Sequence, residues 1–222
     1  MGLDMYLYRY PRYKHYRPED IDAVDSFIEW ENNPDASKYT LKEWCGVDEK
    51  SLPPKKDVDY LRQFMTTKYW AWDTRHEYPN KMIHKQVAYW RKANAIHKWF
   101  VDNIQNGEDD CCYHREVTEQ DLEKLIGICE EILDSVVLED GKVLNGYVYR
   151  NGKEEPSYQD GKQIVNKEVC ERLLPSESGF FFGGTDYDQW YMDGVKYTYE
   201  VLSRILEETD FEKQMLFYVS SW

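Results

Sequence analysis

The chain has 222 residues, 41% of them hydrophobic, and a formal charge of −14 at pH 7 confined to its second part: residues 1–100 carry +2 and residues 101–222 carry −16. That length suits one core with an inserted subdomain, and so acidic a surface repels phosphates, which excludes generic DNA or RNA binding. The acidity reads either as a solubilising shell or as a face that engages a basic protein, in the extreme as a nucleic-acid mimic.

Aromatic residues make up 16% of the chain, including 19 tyrosines and eight tryptophans. The core must therefore lean on side chains that bury area yet keep a polar tip needing a partner. From the N-terminus, Leu3, Met5 and Leu7 alternate with Asp4, Tyr6 and Tyr8, the period-two pattern of a strand with one buried face. Pro18 opens a short acidic helix to about Trp30, since proline suits the first turn and carboxylates complement its positive end. Asn33-Pro34 ends it. Residues 34–54 read as a loop with one helical turn, Asp57 to Met65 as a short helix, and Thr67 to Trp72 as a strand.

From about Lys85 to Gln105 the spacing predicts one long helix. Trp90, Ala93, His97, Phe100 and Ile104 step by threes and fours along one face, and Asn106-Gly107 marks its end. Polar groups on a buried face need partners, so Asn94 and His97 mark either a hydrogen-bonded core or a pocket wall. An acidic loop from Glu108 follows, and Thr118 with Asp121 forms a capping box for a second long helix to about Ser135. Its stripe of Leu122, Leu125, Cys129, Ile132 and Val136 makes Cys129 a small core hydrophobe.

Residues 138–168 change character. Asp140-Gly141, Asn151-Gly152 and Asp160-Gly161 are turn dipeptides between β-prone runs, which predicts a hairpin-like insertion serving as decoration or oligomer contact. Phe180 to Asp188 reads as a short strand, a glycine turn and a helix start boxed by Thr185 and Asp188. The third long helix carries Tyr191, Val195, Thr198, Leu202 and Ile205 on one stripe, and a last strand spans Met215 to Val219. The expected fold is a single α+β domain over 1–222: three long helices on a small antiparallel sheet, with the 138–168 insertion.

Five cysteines are an odd number without a CxxC pair, which fits reduced thiols in a cytosol. Cys112 and His114 lack a second ligand pair at zinc spacing, so no metal is expected, nor any cofactor. Asp4 and Arg9 interrupt the N-terminal apolar residues of a would-be leader, no 18-residue apolar run follows, and Tyr6 stands where a myristoylation motif wants serine or threonine. No membrane association is therefore expected. No serine elbow, HExxH, kinase or Walker signature occurs, and no catalytic residue is assigned.

The groups that suit a ligand are of another kind. Arg91 and Lys92 fall off the apolar stripe and can meet an anion; Trp90, Asn94 and His97 can stack on or hydrogen-bond to a flat polar molecule. Asp186 and Asp188 either accept from ribose hydroxyls or a base, pair with arginine, or cap a helix, with Trp190 beside them. This set, Trp90, Arg91, Lys92, Asn94, His97, Asp186, Asp188 and Trp190, suits a nucleotide.

Met1-Gly2-Leu3-Asp4-Met5, the Tyr89 to Gln105 segment, Leu174-Pro175, Phe180 to Asp188 with Trp190-Tyr191, and the terminal Ser220-Ser221-Trp222 together resemble a widespread family of small, uncharacterised phage and prophage proteins. The resemblance covers the chain outside 138–168 and implies a phage protein in a bacterial host cytoplasm that counters host defence. Joined to the residues above, it implies sequestration of a nucleotide-derived immune signal, a cyclic oligonucleotide or ADP-ribose derivative, without cleavage. Two other readings stand beside it: an acidic inhibitor or nucleic-acid mimic docked on a host defence enzyme, and a hydrolase of the signal. Exposed aromatics and the insertion also offer surfaces for homo-oligomer contact.

Overall fold

A computed structural model describes residues 2–12, 18–64, 84–111, 113–150, 152–179 and 181–222. The described residues form a mixed α/β fold with seven α-helices and two sheets, one of them a small antiparallel ribbon, in place of three long helices on one sheet. The four-stranded sheet has the order β2-β1-β6-β3, with β1 Asp4–Pro11, β2 Lys85–Arg91, β3 Arg115–Val117 and β6 Gln214–Ser221. The chain falls into two compact units. One comprises residues 1–7, 88–209 and 218–222, the other residues 8–87 and 210–217.

The second unit holds α1 (Pro18–Asn32), α2 (Leu41–Cys45) and α3 (Lys55–Arg62). The first helix stops before Asn33-Pro34 because proline disfavours helical backbone in the residue preceding it. Asn33 then turns the chain by accepting from the Asp35 amide at 3.0 Å. Residues 34–54 carry α2, boxed by Thr40 and Glu43, and two single 3-10 turns. Val24 and Ile28 of α1 meet Val58 and Leu61 of α3 and the following Phe64, all buried, with Phe27 and Tyr60 at the edge. Burying each such side chain is worth roughly 2 kcal/mol. The strand expected at Thr67 to Trp72 lies outside the described residues.

The long central helix expected over Lys85 to Gln105 is not continuous. Lys85–Arg91 is β2, where Ala88 and Trp90 turn inward, and α4 begins only at Asn94 and ends at Ile104. The break is at Lys92, whose φ of +56° belongs to the left-handed region and ends the strand, while its amide donates to the Leu3 carbonyl at 2.8 Å. At the other end Asn106 and Gly107 take positive φ, and the Gly107 amide returns to the Val101 carbonyl at 2.9 Å. This is the glycine stop that the sequence predicts.

Helix α5 (Glu119–Ser135) has the Thr118–Asp121 box and packs along α7 (Gln189–Glu208). Leu122, Leu125, Cys129 and Ile132 are buried on one helix, Val195, Thr198, Val201, Leu202 and Ile205 on the other. Burial pushes the Cys129 thiol up to about 12, so it stays protonated and behaves as a hydrophobe. The 138–168 segment forms β4 (Leu138–Arg150) and β5 (Lys153–Ile164), an antiparallel ribbon, followed by the short α6 (Glu168–Leu173). Asp140-Gly141 and Asp160-Gly161 are not turns: Gly141 and Gly161 face each other in register, and the chain reverses only between Arg150 and Lys153. The ribbon has one irregularity, between Leu144 and Gly146, where Asn145 has no partner across the ladder.

Candidate functional site

The first unit contains a cleft of about 830 Å³. Its walls are the β2–α4 junction (residues 91–96), the ribbon at 144–147, the loop through 176–186 and the start of α7. Six of the eight residues expected from sequence line it: Arg91, Lys92, Asn94, Asp186, Asp188 and Trp190.

Asn94 is buried and ties the walls together. Its Nδ2 donates to the carbonyls of Phe182 (3.2 Å) and Gly184 (2.7 Å), and its Oδ1 accepts from the Glu177 amide at 3.1 Å. All its hydrogen-bonding groups but one lone pair serve the loop, so its role is to shape the cleft. Gly183 sits against Lys92 with φ +90°; a Cβ there would lie 3.1 Å from the Lys92 Cβ and 3.3 Å from its carbonyl oxygen. Only glycine admits both that backbone angle and that approach.

The cationic rim follows from the same junction. Lys92 is exposed and has no carboxylate partner among the described residues, while Arg91 reaches Asp4 only at 3.8 Å. Beside them the first turn of α4 has neither an acidic residue nor a side-chain cap, and its first internal bond is His97 N to Ala93 O at 2.9 Å. Asn94, Ala95 and Ile96, whose amides precede that bond, are among the residues that line the cleft. Unpaired amides, the helix dipole and two cations make this end favourable to an anion.

The two carboxylates differ. Asp188, expected to share a box with Thr185, is itself the N-cap of α7, accepting from the amides of Trp190 (2.9 Å) and Tyr191 (3.3 Å); Thr185 instead gives its carbonyl to the Ser176 hydroxyl at 2.8 Å. Burial, reinforced by Asp186 and Asp193, outweighs those amides and raises the Asp188 carboxyl above its ordinary range. Asp186 is exposed and forms no ion pair among the described residues. It can accept from hydroxyl groups.

Trp90 and His97 lie elsewhere. The Trp90 indole is buried and donates to Thr198 Oγ1 at 2.9 Å, edge-on to Phe100 and Tyr197. His97 is sealed, with Nδ1 2.8 Å from the Tyr218 hydroxyl and Nε2 3.1 Å from Asp109 Oδ2. A carboxylate at Asp109 only accepts, so Nε2 donates to it, while Nδ1 and the Tyr218 hydroxyl share the second hydrogen bond. Tyr218 stacks on Phe100 with centroids 4.0 Å apart, and burial pushes its hydroxyl well above the ordinary tyrosine range. These two side chains hold the core. The acidic loop is likewise engaged, since Asp110 binds Arg115 and accepts from Gln105 Nε2 at 2.6 Å.

The cleft also takes residues that sequence reasoning did not select, Asn145 and Tyr147 of β4. The available signal was Asn145-Gly146 inside a β-prone run, because an isolated glycine in a strand marks a bulge or a close approach. Among the described residues no group of three or more histidine, cysteine or acidic side chains could hold a metal, and no helix is long and apolar enough to cross a membrane. Comparison of the chain with protein-family models, with curated proteins and with solved structures gives no match.

Proposed function

We propose that the cleft captures a small anionic nucleotide-type molecule, such as a cyclic oligonucleotide or an ADP-ribose derivative, and holds it intact. The observation that carries this reading is the pairing, on one open concavity, of a cationic rim, in which Lys92 has no carboxylate partner among the described residues, with exposed flat and hydroxyl-accepting groups. Lys92, Arg91 and the free amides of α4 suit phosphate, the half-exposed Trp190 suits a base, and Asp186 suits a ribose hydroxyl. Stacking thus passes from Trp90 to Trp190.

Holding without cleavage is supported by the lining. Its ionisable groups are Arg91, Lys92, Asp186, Asp188, Tyr147 and Tyr191, of which Asp188 caps α7 and Tyr191 donates to the Leu174 carbonyl at 2.9 Å. A lone exposed Asp186 provides no base and nucleophile within reach of each other. In the biological form of this proposal, the protein is a phage accessory factor that removes an immune signal from a bacterial host's cytoplasm.

The test is mass spectrometry of small molecules released by heat from protein expressed in bacteria with nucleotide-signalling defences, together with a thermal shift on adding the identified compound. An intact nucleotide that raises Tm supports capture. A hydrolysed product would replace capture by catalysis, and neither release nor stabilisation would refute both.

A further inference from the structure

Tyr89 and Arg91 stand two apart on β2, and so on one face of it, beside Asp4 on the neighbouring β1. The Tyr89 hydroxyl donates to Asp4 Oδ1 at 2.5 Å, and the Arg91 guanidinium approaches that same oxygen only to 3.8 Å, at Nη1. A guanidinium and a carboxylate in direct contact close to about 2.7–2.9 Å, so this pair is held apart. Tyr89 stands between them. Its hydroxyl is raised above the ordinary tyrosine range, first by the bond to Asp4, and is lowered in part by the Arg91 guanidinium, so the phenol interacts with both charges. The Tyr6 ring, with its centroid 5.2 Å from that of Tyr89, backs it on β1.

Holding the pair apart leaves the guanidinium available, and the Arg91 side chain is 59% exposed. Its other terminal nitrogen, Nη2, comes within 3.6 Å of the position that a Cβ on Gly2 would take, and Lys92 Cε comes within 3.5 Å of the same position. The two cationic side chains of the cleft lining thus converge over Gly2, while Asp4 lies nearest Nη1. Resting on the cleft read as an anion-binding nucleotide site, we infer that Tyr89 is a positioning residue whose hydroxyl occupies the Asp4 carboxylate and so keeps Arg91 open to a phosphate group of the ligand. Asp4 is then a competitor for Arg91. Without the hydroxyl the carboxylate closes on the guanidinium, and an incoming phosphate must displace it.

Calorimetric titration of the full chain with pyrophosphate at low ionic strength, where exposed charges are least screened, tests this. Tyr89→Phe should weaken binding about two- to fivefold, the worth of one exposed ion pair. Asp4→Asn should tighten it by a similar factor, about two- to fivefold, because it keeps an acceptor for Tyr89 and removes the competing charge. In the Asp4→Asn background Tyr89→Phe should then change nothing, a rescue that a merely structural tyrosine would not show. Wild-type affinity in Tyr89→Phe, a loss that persists in the double variant, or weaker binding by Asp4→Asn overturns the role of Tyr89 and leaves the site standing. Arg91→Ala tests the site itself and should weaken binding. Affinity unchanged by it, or no binding of pyrophosphate by the wild type, removes the anion site and its positioning residue together.

Discussion

His97 and Lys92 stand five residues apart on what reads as one helix, and they meet opposite fates. Around His97 every polar atom finds a partner: Asp109 on one ring nitrogen, Tyr218 on the other, with Phe182 edge-on. Around Lys92 the polar groups are left over, an ammonium without a carboxylate among the described residues and a helix turn without a side-chain cap. A buried histidine is thus no better a guide to a binding site than its completed hydrogen bonds allow, and the informative region is the one whose bonding is unfinished.

The largest effect that would test this contrast is on stability. His97→Ala should remove about 3–5 kcal/mol, combining a core cavity with a buried Tyr218 hydroxyl left unpaired. Urea unfolding measures it. A variant that keeps its stability and loses ligand would reverse the assignment of the two regions. The mirror experiment is Arg91→Ala with Lys92→Gly, which should weaken anion binding by about 2 kcal/mol or more in titration. The glycine should also relieve the left-handed strain at 92 by up to about 1 kcal/mol, offsetting any lost side-chain contacts of the apo protein. Trp90→Phe comes next, costing about 1–2 kcal/mol through the lost bond to Thr198, with nucleotide affinity unchanged.

The smallest effect concerns Asp188. Folding raises its carboxyl above the ordinary 3.8, so between the two values the folded chain binds more protons than the unfolded one. Stability contributed by this group therefore declines as pH rises through that window and is flat above it. Asp188→Asn keeps an N-cap acceptor and should remove that slope, visible as the difference between the two pH–Tm profiles. An unchanged slope would show that other groups set it.

Local signals are legible in the sequence. The Thr118–Asp121 box, the Asn106-Gly107 stop and the α7 stripe depend on neighbours three or four residues away, and all are found in place. Pairing across the chain was not legible. Lys85–Arg91 satisfies helical spacing when continued into α4, but it also alternates, and partnership with β1 makes it a strand. The glycines at 141 and 161 look like turns because their role is to face each other, which no local window contains. The same blindness hid Asn145 and Tyr147: their membership of the cleft depends on where a ribbon lies beside α7 and the β2–α4 junction. Arg91, Lys92 and Asp186 are legible because exposed charge off an apolar stripe is a property of sequence pattern as well as of place.

Asn94 has a kinetic corollary. By riveting residues 177, 182 and 184 before any guest arrives, it moves the entropy of ordering that wall into the folding step. Capture should then proceed as a single-exponential association whose rate climbs linearly with ligand concentration, without the plateau that a slow rearrangement would impose.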